Sequence, residues 1–173
     1  MTVVPVSSTL RDAVLSLAPT PEQEPWSGAA VQTLPDAEAD PRRHPFVILD
    51  EHGEAAGFFV LDETPSPADP SADLVLRAFF VDQGHQRQGL GGRALVALPE
   101  LVARELPSAR TVVLTVNVRN QVGRRLYLRH GFSDTGQLPG RQRRPPARVT
   151  ARPAVTLLPF GQSSERECRK PMA

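Results

Sequence analysis

The chain has 173 residues, of which 40% are apolar and 23% charged, and its formal net charge is only +1. A length of this order predicts a single globular domain with a sizeable core. The near-zero charge gives nucleic-acid binding no electrostatic support, and no apolar run reaches the ~18 residues that a membrane-spanning helix needs. The single cysteine, Cys168, excludes a disulfide framework and a cysteine-based metal site. We therefore expect no nucleic acid, membrane or metal among the partners of this chain.

The N-terminal part of the chain predicts one strand and two helices. Thr2 to Val6 is a β-branched run broken by Pro5, which is typical of an edge strand. Apolar residues at helical spacing predict a helix over Leu10 to Leu17, and a short helix is expected over Ala29 to Leu34. The N-terminus lacks a basic segment followed by a long apolar core, so we expect no signal peptide and a cytoplasmic location.

The middle of the chain predicts a hairpin followed by alternating strands and helices. Pro45 to Asp50 and Gly57 to Asp62 form the hairpin, and Leu74 to Val81 is the next strand. Gly89 to Leu106 has helical periodicity, which Pro99 is expected to kink. This order indicates an α/β fold, in which a mixed sheet has helices on both faces.

The last predicted elements are less regular. Thr111 to Val116 is expected to be a buried strand, Asn120 to His130 a helix and Phe132 to Gln137 a strand. An arginine- and proline-rich segment follows, after which Val155 to Leu158 is a candidate final strand. The prediction is a single domain over residues 1–160 with a polar, disordered tail over residues 161–173.

The most informative segment joins a strand to a helix through the loop Gln86-Arg87-Gln88-Gly89-Leu90-Gly91-Gly92. Its glycines let a backbone approach a ligand closely, and the free amides and dipole of a helix N-terminus attract an anion. The loop therefore predicts a phosphate or pyrophosphate site. It lacks both the Gly-Lys-Ser/Thr ending of nucleotide triphosphatases and the glycine spacing of dinucleotide-binding folds.

Gln86-x-x-Gly89-x-Gly91 resembles the Arg/Gln-x-x-Gly-x-Gly/Ala motif of the GNAT acetyltransferases, at the same strand-to-helix junction. Downstream, the segments Val113 to Asn117, Asn120, Leu126-Tyr127 and Gly131-Phe132 resemble the next two elements of that family. The resemblance implies a mostly antiparallel GNAT-type sheet, in which two central strands splay apart to admit a thioester. It also implies acetyl-CoA as the co-substrate, and no metal.

The same resemblance implies a set of cofactor contacts. The strand before the loop would lend backbone groups to the pantetheine arm, the loop would bind the pyrophosphate, and the residue at the start of the next helix would hydrogen-bond near the pantetheine. By position these residues are Phe79, Phe80, Val81, Gln86, Arg87, Gln88, Gly89, Leu90, Gly91, Gly92 and Asn120.

Tyr127 is the candidate catalytic residue by this resemblance. A phenol with a pKa near ~10 can protonate the thiolate that leaves when an amine attacks a thioester; the alternative is a tyrosine that only packs on its helix. Polyamine acetyltransferases of the superfamily commonly have a glutamate base on the strand before the loop, but Arg77 occupies that position here. Asp82, Glu63 and a water chain stay open as alternative bases.

Pro21-x-Gln23-x-x-Trp26 resembles the start of bacterial spermine/spermidine acetyltransferase-like members. This implies that Trp26 lines an amine pocket and that Glu24 offers negative charge to a cation. The alternative is an aromatic side chain that fills the core from a loop. No metal-ligand spacing links the histidines.

The leading hypothesis is direct acetyl transfer from acetyl-CoA to a primary amine of a small molecule. Acetylation of a protein N-terminus or lysine is a second hypothesis, and a non-catalytic acyl-CoA-binding regulatory module is a third. A homodimer is an expectation at the level of the family.

Overall fold

The computed structural model describes residues 1–66, 69–117, 119–134, 150–151 and 153–156. Within these ranges the elements follow in the order β1 (Thr2–Pro5), α1 (Arg11–Leu15), α2 (Glu24–Ser27), α3 (Ala30–Glu38), β2 (Arg43–Leu49), β3 (Ala55–Asp62), β4 (Leu74–Val81), α4 (Leu90–Glu105), β5 (Thr111–Val113), β6 (Val116–Asn117), α5 (Gln121–Arg129), β7 (Ser133–Asp134), β8 (Thr150–Ala151) and β9 (Pro153–Thr156). None of the helices in the described ranges combines the length and the hydropathy needed to cross a bilayer.

Seven of these strands form one mixed sheet in the order β1-β2-β3-β4-β5-β9-β7. Every neighbouring pair is antiparallel except β4 and β5, which are parallel because α4 connects them. β6 and β8 pair separately. The predicted mixed, mostly antiparallel sheet is confirmed.

Apolar side chains cover both faces of the sheet. On one face Phe59, Leu61, Leu74 and Leu76 pack with the buried side of α4, whose apolar residues recur at helical spacing. On the other face strand residues cluster with the buried residues of α1 and α3, the full set being Val14, Leu17, Ala30, Leu34, Ala37, Val47, Phe58, Val60 and Phe80. The prediction of helices on both faces is therefore confirmed.

β4 and β5 separate soon after they meet. Their pairing is limited to Leu74 with Val112 and Val75 with Val113, whereas β4 continues to Val81. The two strands therefore open a gap in the middle of the sheet, as the resemblance implied.

A β-bulge interrupts β4 beside this gap. Phe58 of β3 pairs with Phe80 and Val60 pairs with Arg77, so that two residues of β4 lie opposite one of β3. Ala78, within the bulge, has a φ of 51°, in the left-handed region that non-glycine residues avoid. Such a conformation costs about 1–3 kcal/mol and persists only where the surrounding packing enforces it.

Several element boundaries differ from the sequence predictions. The helix expected over Ala29 to Leu34 extends to Glu38. The strand expected over Thr111 to Val116 is two shorter strands, β5 and β6.

The C-terminal predictions are tested only in part. β9 ends at Thr156 and lies between β5 and β7, so a strand is present near the predicted Val155 to Leu158. Of the strand expected over Phe132 to Gln137, β7 accounts for Ser133–Asp134. Residues 135–137, 157–158 and the tail predicted over residues 161–173 lie outside the described residues.

Candidate active site

A cavity of about 600 Å³ occupies the gap between β4 and β5. Its walls come from β4, the loop after it, the first turn of α4, residues 114–117, α5 and the N-terminal helices. The sequence-predicted site residues among its lining are Trp26, Phe79, Phe80, Val81, Gln86, Arg87, Gly89, Leu90, Gly91, Gly92, Asn120 and Tyr127. Glu24 and Gln88 are not among the lining residues.

The glycine-rich loop ends at the N-terminus of α4. Gly89 is the N-cap residue with a φ of 74°, and Arg87 also has a positive φ, 64°. Among the described residues, the first amide of the helix with a carbonyl partner is that of Arg93, which donates to the Gly89 oxygen at 3.0 Å. The amides of Leu90, Gly91 and Gly92 are therefore available, at the positive end of the helix dipole, to an anion in the cavity.

The two glycines in the first turn of α4 meet different surroundings. A β-carbon on Gly91 would make ordinary contacts of 3.5 to 3.8 Å with side chains of Val81, Leu126 and Phe79. A β-carbon on Gly92 would lie 2.8 Å from Nε2 of His130, whose Nδ1 is 2.7 Å from the Leu126 oxygen. Gly92 therefore lets α4 and α5 approach closely beside the cavity.

Gln86 connects the loop to Gln23, just before α2, and to the end of β4. Its Nε2 donates to Oε1 of Gln23 at 2.8 Å and to the Val81 oxygen at 3.2 Å. This first residue of the motif therefore positions the loop through protein contacts.

Tyr127 lies on α5 in a row of aromatic rings. Its ring centroid is 6.0 Å from that of Phe79 and 5.4 Å from that of Phe132, within the range of favourable aromatic pairs. Burial raises the pKa of the Tyr127 phenol above its ordinary value, because a low-dielectric surrounding disfavours the phenolate. The phenol is consequently protonated at neutral pH.

Asn120 is the N-cap of α5, and its Oδ1 accepts from the Gly123 amide at 2.8 Å. A β-carbon on Gly123 would lie 2.7 Å from Nδ2 of Asn120. The cap and the glycine together fix the Asn120 side chain, which lines the cavity.

The two carboxylates weighed as alternative bases have other partners. Asp82 accepts from the amides of Ala18 at 3.0 Å and Gly84 at 2.9 Å. Burial acts to raise the pKa of its carboxyl, but these hydrogen bonds outweigh it and the pKa is lowered. Glu63 lies 2.7 Å from Nε2 of His44. Neither Asp82 nor Glu63 is among the lining residues of the cavity.

Arg77, on β4, also lines the cavity. Its Nε lies 2.6 Å from Oδ2 of Asp62, a carboxylate with no exposed surface, and Nε of Arg43 lies 3.4 Å from the same oxygen. Burial acts to raise the pKa of Asp62, but hydrogen bonding from Thr64 and the two guanidinium charges lower it. Asp62 is therefore ionised and anchors Arg77.

Of the two residues predicted to bind the acceptor amine, Trp26 lines the cavity and Glu24 does not. Trp26 lines the cavity and is 38% exposed, so it does not fill the core. Glu24 is on the same short helix but is exposed and away from the lining. Ser27 and Thr33 also line this wall, and no local sequence signal marked them.

One group of possible metal ligands lies among the described residues. Asp50, Glu54 and His85 bring one ligand atom each within 4.8 Å of one another. Asp50 Oδ1 already accepts from the amides of His52 at 2.8 Å and Glu54 at 2.9 Å. These turn contacts explain the position of the Asp50 carboxylate without an ion.

The solved structures that this chain resembles include a spermidine N-acetyltransferase from Vibrio cholerae in complex with CoA and spermine. It has a TM-score of 0.66 at 14% identity, and the likeness covers 90% of this chain and 95% of that one. Mutant forms of the spermidine/spermine N-acetyltransferase SpeG from the same organism match with a TM-score of 0.62 at 17% identity, over 89% of this chain and 93% of theirs. At these identities the likeness establishes a shared fold.

Sequence comparison gives the family. The chain is 29% identical over 99 residues to the uncharacterized N-acetyltransferase YbbJ of Bacillus subtilis (strain 168), an overlap of 55% of this chain and 61% of the relative. The chain thus spans less than two thirds of the length of this curated relative. The model of the acetyltransferase (GNAT) family matches residues 11–132, well over half of the chain. The chain therefore belongs to the acetyltransferase (GNAT) family.

Proposed function

We propose that this protein is an N-acetyltransferase that moves an acetyl group from acetyl-CoA directly to a primary amine of a small molecule. Two groups that line one cavity support the proposal. The free amides at the N-terminus of α4 and the protonated phenol of Tyr127 line the same cavity, at the gap between β4 and β5. The amides suit a pyrophosphate, and the phenol suits the sulfur of a thioester.

The cofactor would bind along β4. Its pyrophosphate would accept hydrogen bonds from the amides of Leu90, Gly91 and Gly92. Arg87, an exposed lining residue with no ion-pair partner among the described residues, would add a positive charge. The pantetheine arm would follow Phe79 to Val81, with Asn120 on the opposite wall.

In the chemical step the amine nitrogen attacks the thioester carbonyl carbon and forms a tetrahedral intermediate. Backbone amides of β4 near Val81 would stabilise the oxyanion. When the intermediate collapses, the carbon–sulfur bond breaks and the sulfur takes a proton from the Tyr127 hydroxyl. Tyr127 enters this step with its proton, since the pKa of a phenol lies well above neutral pH and burial raises it further.

The amine must lose a proton during the same reaction. Because neither Asp82 nor Glu63 lines the cavity, we propose that water in the cavity carries this proton to solvent. The tyrosinate then regains a proton along the same route, and the products are an acetamide and the CoA thiol.

The experiment is a thiol-release assay with acetyl-CoA against polyamines, amino acids, aminoglycosides and short peptides. We expect release with one class of small amine, and release with peptides alone would redirect the proposal to protein acetylation. Calorimetry with CoA supplies a separate measure of cofactor binding. If CoA binds while every acceptor leaves release at the background rate, the chain is a binding module and the proposal is wrong.

Two arginine variants test where the cofactor binds. Arg87 lines the cavity, whereas Arg93 lies at the same helix end outside the lining. We expect Arg87→Gln to weaken CoA binding by about tenfold, as is typical for loss of a hydrogen bond to a charged group. Arg93→Gln is the matched control and should change it far less. Equal effects of the two variants would contradict the placement of the pyrophosphate.

A further inference from the structure

We call the cavity wall that contains Trp26, Ser27 and Thr33 the acceptor side, because the acceptor amine is expected there. The charged side chain described on this side is that of Arg77, whereas a polyamine would be bound better by a carboxylate. Resting on the proposed function, we propose that the acceptor is a small amine that also bears an anionic group, such as an amino acid, and that Arg77 binds its carboxylate. Arg77 would thereby determine specificity.

Arg77 lies on the face of the sheet that the N-terminal helices cover. It pairs with Val60, which clusters with residues of α1 and α3 on that face. In the cavity wall it is joined by Trp26, Ser27 and Thr33 from the N-terminal region. The phosphate loop leads into α4 on the other face of the sheet. Arg77 therefore faces a different part of the cavity from the phosphate loop.

Asp62 contacts the Arg77 guanidinium through one of its three nitrogen atoms. The contact runs from Nε of Arg77 to Oδ2 of Asp62 at 2.6 Å. The two Nη groups of Arg77 make no hydrogen bond to the described residues, and 46% of its side chain is exposed. Arg43 shares the same carboxylate, so two guanidinium groups face one buried anion. A fixed guanidinium with free Nη groups presents the forked geometry that binds a carboxylate through two hydrogen bonds.

The charge of the cavity favours an anion over a polycation. Among the described lining residues the ionisable cations and histidine are Arg77, His85 and Arg87, and none is an aspartate or a glutamate. The described part of the cavity wall would offer the ammonium groups of a polyamine no carboxylate as a counter-charge, which is costly when these groups lose water. An anionic group on the acceptor would instead meet Arg77. Since Arg87 belongs to the phosphate loop, Arg77 is the arginine that the described lining offers on the acceptor side.

Arg77 and the candidate acid Tyr127 line the same cavity. Arg77 is two residues before Phe79, whose ring contacts Tyr127. The amine and the carboxylate of the acceptor must therefore fit together within this cavity of about 600 Å³, which suits an amino acid.

The first test uses the unaltered protein and matched acceptor pairs. Each amino acid is compared with its carboxamide, and spermidine is the polycationic reference; kcat/KM is measured by thiol release. The carboxamide has the less basic amine, so a larger fraction of it is unprotonated and chemistry alone favours it. We expect the acid to exceed its carboxamide and spermidine by about tenfold or more, the range typical of a hydrogen bond to a charged group.

Two variants then assign the preference to Arg77. Arg77→Gln should remove most of the acid-to-carboxamide ratio through a higher KM for the acid. Arg43→Gln is the control, because Arg43 also faces Asp62 but is not among the lining residues; its ratio should match that of the unaltered protein. The ratio is taken within one sample, so a partly unfolded variant does not distort it.

The outcomes separate the two proposals. If carboxamides or spermidine turn over as well as the acids, the carboxylate inference is wrong and the acetyltransferase proposal stands. If the ratio survives Arg77→Gln, Arg77 is not the binding residue. If no acceptor releases thiol, the proposed function is wrong and this inference falls with it.

Discussion

The side-chain amide of Gln86 donates a 2.8 Å hydrogen bond to Oε1 of Gln23, across 63 residues of sequence. Gln23 immediately precedes α2, the short helix that contains Trp26, while Gln86 opens the glycine-rich loop. The same Gln86 nitrogen also donates to the Val81 oxygen. One side chain thus joins the acceptor wall of the cavity, the end of β4 and the phosphate loop.

We predict that Gln23→Ala loosens the acceptor wall and leaves the phosphate loop in place. The variant should lower the free energy of unfolding by about 0.5–1.5 kcal/mol and raise KM for the acceptor several-fold. Affinity for CoA should hold, because Gln86 keeps its bond to the Val81 oxygen. Urea denaturation, steady-state kinetics and calorimetry measure the three quantities.

Gln86→Ala is the companion variant. It removes the bonds to both Gln23 and Val81, so CoA affinity should fall as well. A double-mutant cycle isolates the term shared by the two glutamines. If Gln23→Ala weakens CoA binding as strongly as Gln86→Ala does, the acceptor wall and the phosphate loop are not positioned independently.

The adjacent glycines of α4 give a second prediction. Gly91→Ala should raise the free energy of unfolding by up to about 1 kcal/mol, because alanine favours a helix and its β-carbon finds room. Gly92→Ala should be less stable than Gly91→Ala by about 1–2 kcal/mol. Its β-carbon would displace the His130 ring, which the Leu126 oxygen holds.

Removing His130 tests this explanation. In a His130→Ala background the clash at Gly92 disappears, so Gly92→Ala and Gly91→Ala should have similar stabilities by urea denaturation. A difference that persists in that background would place the cause elsewhere than in the contact between Gly92 and His130.

The sequence predicted the phosphate loop well because its signals are local. A strand, a positive-φ glycine and a helix start follow one another within residues 79–92, and each has its own sequence signature. Nearly all the cofactor residues so predicted line the cavity. Their roles stay predictions until binding is measured.

The parts that escaped prediction depend on contacts between distant segments. The pairing of Arg77 with Asp62 depends on the register of β3 and β4, which the bulge shifts by one residue. Thr33 reaches the cavity only because α3 packs across the sheet. The resemblance implied that Glu24 offers charge to the amine, but Glu24 and Trp26 are only two residues apart on α2 and so lie on roughly opposite sides of the helix.

Asp62 provides a prediction about pH. Its pKa is lower in the folded protein than in the unfolded chain, so at acidic pH the unfolded state binds more protons. The stabilisation is therefore complete above the unfolded value of about 4 and is lost as the pH falls through the folded value. At pH 7, Asp62→Asn should cost about 1–3 kcal/mol, since it leaves Arg77 and Arg43 without their shared anion.

The measurement is the difference in free energy of unfolding between the unaltered protein and Asp62→Asn, from urea titrations between pH 3 and 7. Other carboxylates titrate in both proteins and cancel in the difference. We expect the difference to be constant above pH 5 and to shrink below pH 4. A difference that stays constant down to pH 3 would mean that Asp62 does not lose a stabilising charge there.

Tyr127→Phe tests the proposed acid with little change in packing. Phenylalanine retains the ring contacts with Phe79 and Phe132, so we expect CoA affinity and the free energy of unfolding to stay close to those of the unaltered protein. The phenolic proton is lost, and kcat should fall by about 10²–10⁴-fold, the usual contribution of a general acid.

The dependence of the same variant on the acyl donor distinguishes an acid from a packing residue. If protonation of the leaving thiolate limits turnover, an acyl donor with a more acidic leaving thiol should be affected less by Tyr127→Phe than acetyl-CoA is. A packing role predicts equal losses with both donors together with weaker CoA binding. Unchanged kcat with acetyl-CoA would remove Tyr127 from the chemical step, and solvent water would then have to protonate the thiolate.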